Sequence, residues 1–385
     1  MIDTLAVRSR WLKVRICDLV ERHQEQVADG ALSHFEHYVG VDHLDAGDVF
    51  LRRANPISDG GLPPTFRYAF RRGMLLFPTR RPKLNKYAFA PFDGITGEKI
   101  LVLKPKASVN ADPRFVTYLL SASVVRSWVI EKAIGSITPH FRWRDLADLE
   151  IWLPPLDRQV VIANHLVAAY EARESLLGAQ AALSVARDSS INTLIYESGF
   201  DTEPLDALAE VNPTTKDVTE SDPFIAMEDV EAWNRDISQA GLTPRGSRGG
   251  VRAKGGDVLM ARITPCLENG KIAIVPESIE KCGASTEFIV LRAGASVSRE
   301  FLYLLVTSKR FHRMATGLLT GSTGRLRVGA TDLKRLQVPC LDAEAQARVV
   351  AVAREIDSAA DQLKRRIENV NALIATVLEE GIARP

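Results

Sequence analysis

The sequence is poor in the residues that build metal sites, disulfide scaffolds and membrane spans. Its 385 residues include only four cysteines and seven histidines. The cysteines form no C-x-x-C pair, which argues against a zinc site or a disulfide scaffold and indicates a reducing compartment. No apolar run is long enough to cross a bilayer, and the segment from Met1 to Arg15 carries charges where a signal peptide would have an apolar core. These absences predict a cytoplasmic protein.

Catalytic motifs are also missing. The stretch from Gly321 to Gly324 lacks the Lys-Ser/Thr that completes a phosphate-binding loop, and no Gly-rich strand-to-helix loop resembles an S-adenosylmethionine site. Asp222-Pro223 lacks the second proline of the amino-methyltransferase motif. Glu268 and Lys271 faintly resemble a nuclease pair, but no acidic partner precedes them, so a solvated turn is the better interpretation. The sequence predicts neither a catalytic residue nor a metal ligand.

The net charge of +1 does not indicate a partner, but the distribution of charge does. Residues 61–92 contain no acid, and seven basic residues there are interleaved with aromatic ones. Basic loops recur at equivalent places in the second half of the chain. Such side chains, with small hydroxyls, suit phosphate contacts and base-edge readout in DNA, although any single Arg is more often a solvated surface charge. The predicted DNA contacts are Arg71, Arg72, Thr79, Arg80, Arg81, Lys83, Lys86, Ser136, His140, Arg142, Arg144, Arg245, Arg248, Arg262, Lys271, Ser322, Thr323, Arg325 and Arg327.

The two halves of the chain repeat one another. The apolar run 100–103 matches 288–291, Gly135 matches Gly321, and Gln159 matches Gln346, all at offsets of about 183 to 189. We therefore predict a tandem repeat of a mixed α+β domain followed by a long helix, related by a pseudo-two-fold. The expected ranges are 1–153 and 199–338 for the domains, and 154–198 and 339–385 for the helices.

Both helical segments carry an apolar seam with coiled-coil spacing. At 1.5 Å per residue, each helix would be about 60 Å long. The alternative is two unrelated amphipathic helices packed on separate cores. The central seam is predicted at Ile162, Ala169, Leu176 and Leu183, with Ala172, Ala179 and Ala186 beside it. The C-terminal seam is predicted at Val349, Ala353, Ile356, Ala360, Leu363, Ile367, Val370, Ile374 and Val377.

This organisation resembles the DNA-specificity subunit of Type I restriction–modification enzymes. In each half a strand is followed by a Pro-Leu-Asp element, a Gln and a long helix, at 153–159 and 338–346. The run 256–262 is similar to the family's "GDvl-x-x-R" strand, and 317–333 resembles its Gly-containing loop. The sequence departs from the pattern with Met74 in the first copy and Cys340 in the second.

The resemblance implies a non-enzymatic subunit with two target-recognition domains, each reading one half of a bipartite double-stranded DNA target. The helices would form an antiparallel coiled coil that sets the spacing and docks two methyltransferase (modification) subunits. Those partners would bind S-adenosylmethionine, which leaves this chain without a cofactor of its own, and a restriction (motor and nuclease) subunit would add cleavage. The competing hypotheses are a self-contained DNA methyltransferase or nuclease with degenerate motifs, and a structural adaptor that never touches DNA.

Overall fold

The computed structural model describes residues 11–382, except 29–31, 33, 59–60, 108–109, 198, 240–241 and 322–324. The chain divides into two compact units. Unit 1 comprises Met1–Leu176 and Arg366–Pro385, and unit 2 comprises Leu177–Arg365. Each unit therefore combines one mixed α+β domain with parts of both long helices.

Unit 1 contains ten strands and four short helices among its described residues, and the first long helix begins in it. The strands are β1 (Leu12–Arg15), β2 (Val20–His23), β3 (His37–Val39), β4 (Asn55–Pro56), β5 (Phe66–Phe70), β6 (Leu75–Pro78), β7 (Ala88–Phe89), β8 (Gly94–Gly97), β9 (Ile100–Pro105) and β10 (Glu150–Leu153). The helices are α1 (Ile16–Leu19), α2 (Pro113–Leu119), α3 (Ser123–Glu131), α4 (Trp143–Ala147) and the long α5 (Leu156–Tyr196), with 3-10 turns at Val41–His43 and Pro82–Leu84.

Three sheets form the domain of unit 1. Two are four-stranded, in the orders β2-β9-β6-β7 and β4-β3-β8-β5, and β1 pairs with β10. All pairings are antiparallel except that of β3 with β8. The apolar runs of β6 and β9 are buried on both faces, because one face packs on Phe115 of α2 and Val125 of α3 and the other on Val39 of β3 and Phe70 of β5.

Unit 2 repeats these elements in the same order. Its strands are β11 (Thr202–Pro204), β12 (Ala209–Val211), β13 (Pro223–Ile225), β14 (Thr243–Pro244), β15 (Val251–Ala253), β16 (Val258–Ala261), β17 (Ile272–Ile274), β18 (Cys282–Ala284), β19 (Phe288–Ala293) and β20 (Gln337–Pro339). Its helices are α6 (Leu205–Leu208), α7 (Arg299–Thr307), α8 (Lys309–Thr316), α9 (Ala330–Lys334) and the long α10 (Ala343–Ile382), with a 3-10 turn at Met227–Asp229.

The topology of unit 2 matches that of unit 1 strand for strand. The sheet orders are β12-β19-β16-β17, β14-β13-β18-β15 and β11-β20, and β13 with β18 is again the parallel pair. Every strand of unit 1 therefore has its counterpart ten strands later. The predicted tandem α+β repeat is confirmed.

Two stretches differ from what their local sequence pattern predicts. Residues 11–21 have the pattern of a short helix but form β1, the single turn α1 and β2, because 12–15 pairs along its whole length with β10. Residues 113–134 have the pattern of one helix but form two, α2 and α3. Ser121 donates to the carbonyl of Tyr118 through both its N–H (2.9 Å) and its Oγ (2.6 Å), which ends α2, and Ala122 is extended.

The long helices pair antiparallel in each unit. In unit 1, Arg158 near the start of α5 donates from Nη2 to the Glu380 carbonyl near the end of α10 (3.1 Å). In unit 2, Arg187 forms an ion pair with Asp357 (2.5 Å), and Ile191 near the end of α5 shares a core with Val349 near the start of α10. The antiparallel coiled coil is therefore confirmed, as an extension of each domain core.

The predicted phase of the central seam is only partly right. Ile162 and Ala169 are buried and Leu176 and Leu183 half-buried, but the three alanines predicted beside them, at 172, 179 and 186, are exposed. The four-three spacing from Ile162 instead continues through Leu166 and the half-buried polar positions 173, 180 and 187. Long polar side chains can occupy a seam because their aliphatic stems pack while their heads find partners. The C-terminal seam is confirmed, since all nine predicted positions are buried or half-buried.

A buried glutamine ties each long helix to its own domain. Gln159 is 1% exposed, and its Oε1 accepts the backbone N–H of Asp112, the N-cap of α2 (3.0 Å). Gln346 is 3% exposed, and its Oε1 accepts the backbone N–H of Ser298, the N-cap of α7 (3.0 Å). Both side-chain amides also donate to a carbonyl just before their helix, at 2.7 and 2.9 Å. The bonds fix the direction in which each long helix leaves its domain.

Candidate nucleic-acid interface

A short hairpin occurs at the same place in both domains. In the first hairpin (residues 134–140), Ile134 and His140 exchange two backbone hydrogen bonds of 2.8 and 3.0 Å. In the second (residues 320–327), Thr320 and Arg327 do the same at 3.1 and 2.8 Å, with 322–324 outside the described residues. Gly135 and Gly321 follow the first residue of each, at φ values of +98° and +134° that other residues rarely adopt.

Each hairpin is pinned against the segment that follows a central strand. In unit 1 the Arg81 N–H donates to the Pro139 carbonyl (2.7 Å), just after β6. In unit 2 the Thr264 N–H donates to the Leu326 carbonyl (3.0 Å), just after β16. Two stretches that the sequence separates by about 60 residues therefore form one surface in each domain. These stretches hold most of the predicted DNA contacts.

Three basic side chains of unit 1 are available on this surface. Arg80, Arg81 and Lys83 are exposed, and no side-chain hydrogen bond or ion pair occupies them within the described part of the chain. Arg80 and Thr138 line two adjoining clefts of about 790 and 520 Å³ beside the first hairpin. The acids in the lining are Asp42 and Glu98, and a hydrogen bond from Lys99 holds the pKa of Glu98 below its usual range. Cations outnumber acids in both clefts, and apolar side chains complete the lining of the larger one.

The side chains of two other predicted contacts in unit 1 are engaged within the domain. Arg71 forms ion pairs with Glu25 and Asp93, and the Glu25 bond is the main reason that the pKa of Arg71 is raised. Thr79 is buried and donates from Oγ1 to the Lys99 carbonyl (3.1 Å). Arg72 is exposed, with its backbone N–H on Asp93.

The remaining predictions in unit 1 lie on or beside the first hairpin. Ser136 and His140 are exposed on it. Arg142 and Arg144 follow it and contact Asp145 at 3.2 and 3.8 Å, and both remain exposed. Arg142 and His140 line the smaller cleft.

Lys86 and Lys271 illustrate how a repeated basic residue can be structural. Lys86 donates from Nζ to the carbonyl of Val41 (3.1 Å), and Lys271 donates to the carbonyl of Met227 (2.8 Å). Both acceptors are the first residue of the 3-10 turn that follows β3 or β13. In both domains the amine therefore holds this turn.

In unit 2 the predicted residues divide in the same way. Arg325 is exposed on the second hairpin, and no side-chain bond is found for it within the described ranges. Arg327 binds Glu287 through two bonds of 2.8 and 2.9 Å, which lower the pKa of Glu287. Arg262, beside Glu287, has a buried Nε without a hydrogen-bond partner in the described structure.

Arg245 and Arg248 follow β14, earlier in unit 2 than the residues of the second hairpin. Arg245 is half-buried, and Arg248 lies over the Phe224 ring, 4.3 Å from its centroid, while donating to backbone carbonyls. Ser322 and Thr323 are outside the described residues.

Four side chains at the first hairpin were not among the predicted contacts. Thr138, Lys99 and Arg22 line the clefts, and Ile137 is 90% exposed at the hairpin tip. Thr138 lies between the predicted contacts Ser136 and His140, so their positions could have indicated it. Lys99 and Arg22 gave no signal because sequence neighbours do not reveal that β2, β9 and the hairpin meet.

The described residues hold no cluster of three or more His, Cys, Asp or Glu that could bind a metal ion. Among the helices that the structure describes, none is both long and apolar enough to cross a membrane.

The sequence is similar to curated specificity subunits of Type I restriction enzymes. No protein-family model matches the sequence. The chain is 26% identical over 178 residues to the Type I restriction enzyme EcoEI specificity subunit of Escherichia coli. That match covers 44% of this chain and only 29% of the relative's length.

Solved structures extend the similarity to the whole fold. A chain from a type I R-M system superposes with a TM-score of 0.63 at 19% identity, covering 97% of both chains. The Type I restriction-modification S subunit from M. genitalium gives a TM-score of 0.53 at 15% identity, covering 97% of this chain and 96% of its own. This chain has the fold of Type I specificity subunits. The resemblance inferred from the strand–Pro-Leu-Asp–Gln–helix pattern is thereby confirmed, and the buried glutamines show what that pattern does within the fold.

Proposed function

We propose that the protein is a non-catalytic, sequence-specific DNA-binding subunit of a Type I restriction–modification complex. The observation that carries the proposal is the pair of hairpins at matched positions, each pinned beside basic residues at the end of a central strand. Each domain would read one half of a bipartite target through its own hairpin surface. Sequence differences at the hairpins, Ile137 and Thr138 against Thr323 and Gly324, support two different half-sites.

The paired long helices would set the distance between half-sites. Readers held by a rigid spacer recognise half-sites at a fixed separation along DNA. The exposed faces of α5 and α10 would dock two methyltransferase subunits, which would bind S-adenosylmethionine and methylate adenine, and a restriction subunit would add cleavage. The names of the similar proteins, a specificity subunit and a type I R-M system, support these partners. The expected location is the cytoplasm.

Selection of duplexes from a random library by the purified full chain tests DNA reading. We expect a bipartite motif of two fixed half-sites separated by a gap of constant length. Affinity should fall steeply with salt, because each phosphate contact releases counterions. A chain that binds duplexes without any motif, or not at all, would contradict the proposal and favour an adaptor.

Adding S-adenosylmethionine to the chain alone separates this proposal from a self-contained enzyme. We expect neither saturable binding of the cofactor nor methyl transfer to a selected duplex. Methyl transfer by the isolated chain would show that the protein is itself the enzyme. Supplementation with methyltransferase subunits should produce methylation at adenines in the same duplex.

A further inference from the structure

The tip of the first hairpin carries an apolar side chain that the fold leaves uncovered. Ile137 is 90% exposed, the highest value among the exposed large hydrophobic residues of the described chain. Burying such a side chain usually stabilises a protein, so an isoleucine held in water gains nothing for the fold. Ile134 in the same hairpin and Leu84 in the adjoining turn are also 49% and 45% exposed. Three exposed apolar side chains thus lie on the first hairpin and on the turn that it contacts, and Leu84 lines the larger cleft with Arg80.

Ile137 is exposed although hydrogen bonds hold the hairpin that carries it. The Ile134–His140 bonds close the hairpin, and the Arg81–Pro139 bond fixes it to the end of β6. Phe141, directly after it, is 1% exposed in the core. Ile137 therefore projects from a rigid support, so that little conformational entropy is lost when it contacts a ligand.

The neighbours of Ile137 identify the ligand chemistry. Ser136 and Thr138 flank it, His140 is exposed two residues beyond Thr138, and the guanidinium of Arg80 shares both clefts with Thr138. These are groups that bind phosphates and base edges. In the major groove the one apolar group on a base edge is the C5-methyl of thymine, and apolar side chains recognise it by contact.

We propose that Ile137 determines specificity by packing against the C5-methyl group of a thymine in the half-site read by the first domain. This inference rests on the proposed DNA-binding function. The second hairpin has Thr323 at the matched position in the sequence, so the isoleucine contact belongs to one half-site only.

Replacement of each thymine of a selected duplex by deoxyuridine tests the assignment, because it removes only the methyl group. The full-length chain should lose about fourfold in affinity at one thymine of one half-site, the factor that burial of one methyl group contributes. Ile137→Ala should bind the thymine duplex at least fourfold more weakly and show no further loss with deoxyuridine there. Ile137→Val should keep part of the discrimination. Val185→Ala, which changes an exposed valine on α5, should keep all of it.

The outcomes are distinguishable. If the wild-type chain binds the duplex but tolerates deoxyuridine everywhere, or Ile137→Ala keeps the discrimination, the thymine contact is refuted while DNA reading stands. If Ile137→Ala weakens both duplexes equally and reduces DNA bending, Ile137 is a wedge between base steps, which also refutes it. If the wild-type chain binds no duplex, the proposed function itself fails.

Discussion

At the scale of single residues, recurrence in both domains indicates position but not role. Lys86 and Lys271 occupy equivalent positions, and each holds a backbone turn. Arg80 has no basic equivalent. It forms a β-bridge with His140, and in the matching bridge of unit 2 its place is taken by Ile263. The acid-free run 61–92 correctly indicated where cations would collect. It could not separate Arg71, which neighbouring carboxylates engage, from Arg80, which is exposed, because that difference depends on residues distant in sequence.

The exposed cations of unit 1 give a prediction about local reading. Replacing Arg80, Arg81 and Lys83 together by alanine should weaken binding at one half-site and leave selection of the other intact. The salt dependence of log K should fall by roughly one to three units of slope, since each lost phosphate contact removes about 0.9. Competition binding with half-site variants over a salt series measures both effects.

A variant with the same charge change provides the control. Lys364, Arg365 and Arg366 are three consecutive exposed cations on α10. Their replacement by alanine should not weaken binding at one half-site more than at the other. Equal loss at both half-sites in the Arg80–Lys83 variant would show that the cluster is not a local reader.

At the scale of elements, strands with strong apolar runs were predictable and helix phase was not. Residues 100–103 and 288–291 can only be buried, whereas alanine at 172, 179 or 186 fits a seam or a surface equally well. The seam residues that replace them, Arg173 and Arg187, are placed by ion pairs with Asp48 and Asp357. Such partners are invisible to periodicity.

The two buried glutamines, Gln159 and Gln346, give a prediction about stability. Gln159→Leu removes an acceptor from the Asp112 N–H and a donor from the carbonyl of Pro154, leaving two buried backbone groups unpaired. The free energy of unfolding should fall by about 1–3 kcal/mol for each unpaired group. Gln346→Leu should do the same in unit 2. Urea unfolding measures the loss.

Gln180→Leu, at a half-buried seam position without such bonds, should cost less than about 0.5 kcal/mol. A Gln159→Leu protein as stable as the wild type would show that the hydrogen bonds of Gln159 do not stabilise the fold.

A second prediction concerns a pair of contacting residues that occurs at equivalent turns of the two units. In unit 1 the N–H of Gly47 donates to the carbonyl of Asn85, and in unit 2 the N–H of Trp233 donates to the carbonyl of Gly270. All four residues have positive φ, and the glycine is on the donor side in unit 1 but on the acceptor side in unit 2. A Cβ on Gly270 would lie 2.3 Å from the Trp233 ring, so Gly270→Asn should destabilise unit 2 by about 1–3 kcal/mol. Adding Trp233→Gly, which copies the pairing of unit 1, should recover most of the loss.

Thermal unfolding of the two single variants and the double variant completes that comparison. Gly246 also has positive φ but nothing within 4 Å of an added Cβ. Gly246→Asn should therefore cost only a few tenths of a kcal/mol, since Asn tolerates this conformation. Additive losses in the double variant would show that Trp233 and Gly270 are not coupled.

At the scale of the whole molecule, the order of elements was the most predictable feature. Matched positions that recur in the same order at a nearly constant offset do not arise by chance. They therefore predicted the tandem domains and the paired helices. The pseudo-two-fold remains a prediction. The sequence does not predict the target bases, because readout depends on the geometry of the loops.

The spacer role makes a quantitative prediction. Deleting one heptad from each long helix, at 177–183 and at 361–367, keeps the register of the Arg187–Asp357 pair. Each deletion shortens its helix by about 10 Å. Because base pairs rise by about 3.4 Å, selection should recover the same half-sites with a gap shorter by about three base pairs. An unchanged gap would show that the helices do not set the spacing.

Mapping of methylated adenines in the genome that encodes the protein, with the gene intact and deleted, tests the central claim most directly. We predict methylation at a two-part motif with a gap of constant length, and its complete loss on deletion. Restoring the gene should recover the motif, and the Arg80–Lys83 variant should relax one half of it. Methylation that persists without the gene, or that depends on it only at an uninterrupted motif, would contradict the account.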